Sequence, residues 1–236
     1  MMITNYKIYE NNLNLNTIID FTIIKDYYTI DNIKEYCNLA KEKKYYSVCT
    51  IPKHLSTVKS FLNDSNIKTV CMLGIPNGKQ KIKIKLNQIR DNILNFDELD
   101  FIINYKILKD LSLEDDDEKK QNILNDLKNE IIKSVRLCHK DGKIFKAIIE
   151  IDELTYDEIN TICNICSQCS VDYIQTSSGF SKNKLSLNDK IEKVKYIRKI
   201  LPDYINIKIS GGIRTPEQIN EVRKYADRIG TSVKIF

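Results

Sequence analysis

Eight short runs rich in Ile, Val and Tyr most narrow what this chain can become: residues 17–24, 45–51, 67–75, 98–104, 144–151, 171–176, 204–210 and 226–230. Between them lie segments whose apolar residues recur every three or four positions, such as Ile33, Tyr36, Cys37 and Ala40, or Ile123, Leu124, Leu127, Ile131 and Ile132. A near-continuous apolar strand is one buried on both faces, and its alternation with amphipathic helices predicts a parallel sheet covered by helices. Eight such units in 236 residues predict an α/β fold: a closed (β/α)8 barrel of the TIM type, a single domain over residues 1–236. Such barrels typically take about 250 residues. A doubly wound open sheet competes, and the strand count favours the barrel.

Composition closes off other classes. At 42% hydrophobic and 29% charged the chain is too apolar for disorder, and 7 Gly and 4 Pro are too few for collagen-like or linker-rich architecture. No apolar run approaches the roughly eighteen residues of a membrane-spanning helix. Met1 to Lys7 lack the apolar stretch of a secretory signal, and seven cysteines beside 2 His suit reduced thiols. A cytoplasmic protein that engages no membrane is expected. A net charge of +5 is too mild for the basic face of a nucleic-acid binder, so no nucleic-acid partner is expected.

Charges interrupt several strands: Asp20, Asp100, Lys146, Glu150 and Lys208. In a barrel strand alternate residues point inward, so each charge is either solvated at the rim or paired inside. Together they suggest a site, because reactive groups in such barrels gather at the C-terminal ends of several strands. Glycine adds a second signal. Gly74, Gly179, Gly211, Gly212 and Gly230 are read as following strands, and glycine N–H groups beside a hydroxyl form an uncharged phosphate cradle, typically after strands 7 and 8. Gly211-Gly212 and Gly230-Thr231-Ser232 fall there, so a phosphate or sulfate anion is the expected ligand.

At this point the segments resemble the deoxyribose-phosphate aldolase family over nearly the whole chain. Ile19-Asp20-Phe21-Thr22, Val48-Cys49-Thr50-Ile51-Pro52 and Gly74-Ile75-Pro76-Asn77-Gly78 resemble its first three strand motifs. Glu98-Leu99-Asp100, Phe145-Lys146-Ala147-Ile148-Ile149-Glu150, Asp172 to Phe180, Lys208 to Thr215 and Arg228 to Ser232 follow in family order. The resemblance implies cleavage of 2-deoxyribose 5-phosphate to acetaldehyde and glyceraldehyde 3-phosphate through a lysine Schiff base, with no metal or other cofactor. It implies Asp100 as the proton-transfer aspartate and Lys208 as the second lysine, with Lys146 nearby. Asp20, Thr22 and Cys49 are implied to line the pocket, and Thr176, Ser178, Gly179, Gly211, Gly212, Gly230 and Ser232 to hold a phosphorylated sugar.

The resemblance puts the imine-forming lysine at position 175, where this chain has Gln175. An amide nitrogen is delocalised into its carbonyl and cannot condense with an aldehyde. The expectation is a catalytically impaired member, or a pseudoenzyme, that keeps a phosphate-binding rim. The alternative is an active aldolase using Lys208 or Lys146 as a relocated nucleophile. Val233 stands where the family's phosphate loop usually has a second Ser, and the chain ends at Phe236, leaving little for a closing helix or tail. A homodimer and an unidentified protein partner are both compatible with the sequence.

Three further signals are read as structural. Cys163, Cys166 and Cys169, spaced by three, share one helix face and suit core packing. His54 and His139 are read as surface histidines on outer helices. Lys79, Lys81, Lys83 and Lys85 are read as a solvated face of the third helix.

Overall fold

The computed structural model describes residues 15–111 and 113–233. The polar N-terminal stretch and the last residues before Phe236 lie outside the described residues. Eight parallel strands close a barrel in chain order: β1 (Ile19–Ile23), β2 (Ser47–Thr50), β3 (Lys68–Leu73), β4 (Glu98–Ile102), β5 (Ile144–Ile148), β6 (Tyr173–Gln175), β7 (Asn206–Ile209) and β8 (Arg228–Thr231). Because β1 pairs with both β2 and β8, the sheet has no edge, which excludes the open-sheet alternative. The helices are α1 (Ile30–Lys43), α2 (Pro52–Leu62), α3 (Ile82–Asn92), α4 (Ile107–Leu111), α5 (Asp117–Lys140), α6 (Tyr156–Gln168), α7 (Leu187–Ile200) and α8 (Pro216–Val222). None of the described helices is long and apolar enough to cross a membrane.

Local chemistry starts these helices where the chain leaves the sheet. Thr29 with Asn32, Thr155 with Glu158 and Thr215 with Gln218 form reciprocal capping boxes, each satisfying two backbone donors that the first helical turn leaves open. At α5 the Asp116 carboxylate is the cap, accepting from the N–H groups of Glu118 and Lys119.

The two faces of the sheet differ in chemistry. Outward-facing Phe21, Val48, Leu99, Ala147, Ile174 and Ile207 are fully buried beneath the helices. The inward residues Asp20, Asp100, Lys146 and Lys208 are as buried, yet all are charged. The main hydrophobic layer lies around the barrel, and its interior holds a cluster of buried ions.

Several expectations need correction. Lys85 is fully buried in α3 and ion-paired to Glu130 of α5 at 2.5 Å, because α3 begins only at Ile82 and turns this position inward. His54 is also buried, its Nε2 lying 3.0 Å from the Lys25 carbonyl, whereas His139 is on the surface of α5 against Asp172. Gly230 belongs to β8 itself rather than to the loop after it. The thiols of Cys163, Cys166 and Cys169 are buried and free, as core packing requires.

Candidate active site

Asp100 and Lys146 are register partners in the middle of β4 and β5, not at their C-terminal ends, and Lys208 of β7 reaches them across the barrel. Lys146 Nζ lies 2.5 Å from Glu98 Oε2, 3.1 Å from Asp100 Oδ1 and 3.3 Å from Asp20 Oδ2. Lys208 Nζ lies 2.6 Å from Asp100 Oδ2 and 2.7 Å from Asp20 Oδ2. Arg228 completes the cluster, pairing with Asp20 at 3.1 Å while its guanidinium stacks on the Tyr46 ring. Three carboxylates thus face three cations, all of them buried. Ser47 donates to Asp20, the Tyr46 hydroxyl to Glu98 and the Cys49 thiol to Asp100.

This arrangement fixes the charge state. Burial alone would push both lysines down, but Asp100 and Asp20, joined by Glu98 at Lys146, hold Lys146 well above and Lys208 above the ordinary lysine value. Burial would likewise raise Asp20 and Asp100, yet the two ammonium groups keep both below the usual carboxylate range. Burial and the neighbouring Asp100 push the Cys49 thiol well up, so it stays protonated. At neutral pH the cluster holds ammonium ions and carboxylates, with no free amine.

Gln175 ends β6 as the register partner of Lys208, on the same interior face. Its Nε2 donates to Ser210 Oγ at 3.0 Å, and Ser210 Oγ donates to the Ser177 carbonyl at 2.6 Å. Above it, Gly211 and Gly212 have φ of 83° and 88°, a left-handed backbone that favours glycine. A Cβ on Gly211 would come within 2.6 Å of Ser177 Cβ. The N–H groups of Gly211 and Gly212 have no protein acceptor among the described residues. Ser232 is exposed just past β8.

Not every candidate joins this group. Thr22 donates only to the Asp20 carbonyl. The Thr176 hydroxyl is spent on the Ser210 backbone, and both the Ser178 hydroxyl and its N–H are held by Glu150, so neither side chain is free to meet a phosphate. Glu150, singled out as a strand interruption, sits beyond β5 and clasps this loop instead of entering the central cluster. Gly179 is exposed on the same loop.

Glu98 and Arg228 were available to sequence reasoning as charges within apolar runs, two residues from Asp100 and from Gly230. Lys190 gave no such signal, since a lysine on an amphipathic helix reads as surface. It is buried in α7, with its Nζ 2.7 Å from Ser177 Oγ, 3.0 Å from Asp152 and 3.3 Å from the Ser210 carbonyl. Burial outweighs Asp152 there and lowers its pKa.

A closed barrel with an ionic interior below a glycine-lined mouth is the class that fold and site define, and solved aldolases share its architecture. The structure titled QR15, an aldolase, superposes with a TM-score of 0.80 at 28% identity, covering 92% of this chain and 91% of that one. A putative deoxyribose-phosphate aldolase from Coccidioides immitis gives a TM-score of 0.80 at 30% identity, covering 93% and 82%. In sequence, the deoxyribose-phosphate aldolase of Thermococcus kodakarensis is 32% identical over 218 residues, 91% of each chain. No protein-family model matches the chain. The chain belongs to the deoxyribose-phosphate aldolase family.

Proposed function

We propose that this cytoplasmic family member binds a phosphorylated sugar at the barrel mouth without forming the Schiff base through which the family reaction runs. Gln175 carries the reading. It points into the barrel beside Lys208, where the resemblance puts the imine-forming lysine, and its amide cannot condense with an aldehyde. Losing a covalent nucleophile commonly costs several orders of magnitude in rate. A relocated imine on Lys208 or Lys146 is disfavoured by the carboxylates that keep both amines protonated.

The N–H groups of Gly211 and Gly212, with exposed Ser232, supply the phosphate-binding rim, and the Lys190 ammonium lies behind it against the Ser210 carbonyl. Gly230 contributes by lacking a side chain: a Cβ there would meet Ser210 Cβ at 2.9 Å and Lys208 Cε at 3.2 Å.

An acetaldehyde-release assay with 2-deoxyribose 5-phosphate tests this. The chain is expected to stay near background, and Gln175→Lys is expected to gain turnover. The new amine would stand next to Lys208, and burial together with like charge would favour its neutral form. Release by the unaltered chain at the rate of an ordinary family member would refute the proposal.

A further inference from the structure

We infer that the interior end of this site reads a hydroxyl group, so that its ligand is a phosphorylated polyol: a sugar phosphate in alditol or cyclic form, not an open-chain aldehyde. This rests on the phosphate-rim reading above and adds the polar pattern facing it.

The amide orientation at position 175 follows from counting protons. Ser210 Oγ has a single proton, given to the Ser177 carbonyl, so towards Gln175 it can only accept and must face Nε2. Gln175 Oε1 is thereby turned away from Ser210. It is buried without a hydrogen-bond donor among the described residues, on a side chain only 1% exposed. Buried amide oxygens are nearly always paired, so this one marks a place for a donor.

The neighbouring strand supplies the complement. An ammonium group has three protons. Among the described residues Lys146 meets three carboxylates, whereas Lys208 meets two, Asp20 and Asp100, and keeps one N–H unassigned. An unused acceptor and an unused donor therefore sit on register-paired residues of one face. A hydroxyl can donate to Gln175 Oε1 and accept from Lys208 together. A carbonyl oxygen only accepts and would leave Oε1 unpaired.

Gly230 lets Ser210 and Lys208 pack against the β8 backbone, where a Cβ would meet them at 2.9 and 3.2 Å. At the barrel mouth, a cavity of about 400 Å³ opens beside the ends of β1, β2 and β3, lined by Ile24, Ile51, Met72, Ile75 and Phe180.

Calorimetric titration of the full chain and of Gln175→Met tests the inference, with 2-deoxyribitol 5-phosphate and inorganic phosphate as probes. The unaltered chain should bind the polyol phosphate at least about tenfold more tightly than inorganic phosphate, and Gln175→Met should lose about that factor for the polyol alone. Unchanged inorganic phosphate affinity would also report that the variant is folded. A second comparison needs no variant: 1,2-dideoxyribitol 5-phosphate, which lacks the terminal hydroxyl, should bind about tenfold more weakly. Equal affinity of the two polyol phosphates, or equal affinity of the two proteins for the first, overturns the hydroxyl assignment and leaves the rim standing. Failure of every phosphate probe to bind overturns both.

Discussion

Two kinds of buried lysine occupy this molecule, and carboxylate number separates them. Lys146 and Lys208 share three carboxylates at the barrel centre and have raised pKa values. Lys85 and Lys190 each face one close carboxylate, Glu130 and Asp152 respectively, and have lowered values. Burial disfavours the ammonium form in all four, and a single counter-ion does not repay that cost whereas two or three do. The barrel centre is therefore a locked ionic plug. The helix-borne pairs are local tethers.

The sharpest way to break this comparison is Asp20→Ala, because Asp20 touches Lys146, Lys208 and Arg228 at once. It should leave three buried cations facing two carboxylates and lower unfolding free energy by about 3–5 kcal/mol in denaturant titration. A loss below about 1 kcal/mol would mean that the plug does not behave as a unit.

Acid titration gives the next largest effect. Asp20 and Asp100 have folded pKa values below the ordinary carboxylate range. Their stabilisation is therefore complete above about pH 4 and lost as pH falls through the folded values. Unfolding free energy measured from neutral to strongly acid pH should fall on this limb, and Asp100→Asn should make the slope shallower. An unchanged slope would contradict the assignment.

The smallest effect belongs to a tether. Lys85→Met with Glu130→Leu should cost about 1 kcal/mol, less than Lys85→Met alone, since the single variant strands a buried carboxylate. Losses that add, with the Glu130→Leu variant measured alongside, would show that the two side chains are not energetically coupled and contradict the tether.

Much of this contrast was legible in the sequence. The eight strand runs gave the barrel, because double burial leaves an uninterrupted apolar stretch that little else produces. Asp20, Asp100, Lys146 and Lys208 stood out because a charge inside such a stretch must find a partner. Their depth was not legible: a strand pattern tells inward from outward but not mid-barrel from mouth. Lys85 and Lys190 were hidden for a related reason. Helical periodicity marks lysine as solvent-facing, and only the packing of α3 on α5, or of α7 against the ends of β6 and β7, turns those positions inward. Thr176 and Ser178 show the converse, since a hydroxyl in a loop motif carries no mark of which partner will claim it.

Neither amine at the barrel centre, Lys146 or Lys208, is free to form an imine. Incubation with 2-deoxyribose 5-phosphate and borohydride, followed by intact mass and peptide mapping, tests it directly. The mass should stay unchanged, with an adduct appearing only in Gln175→Lys. A reduced adduct on Lys208 or Lys146 of the unaltered chain would contradict it.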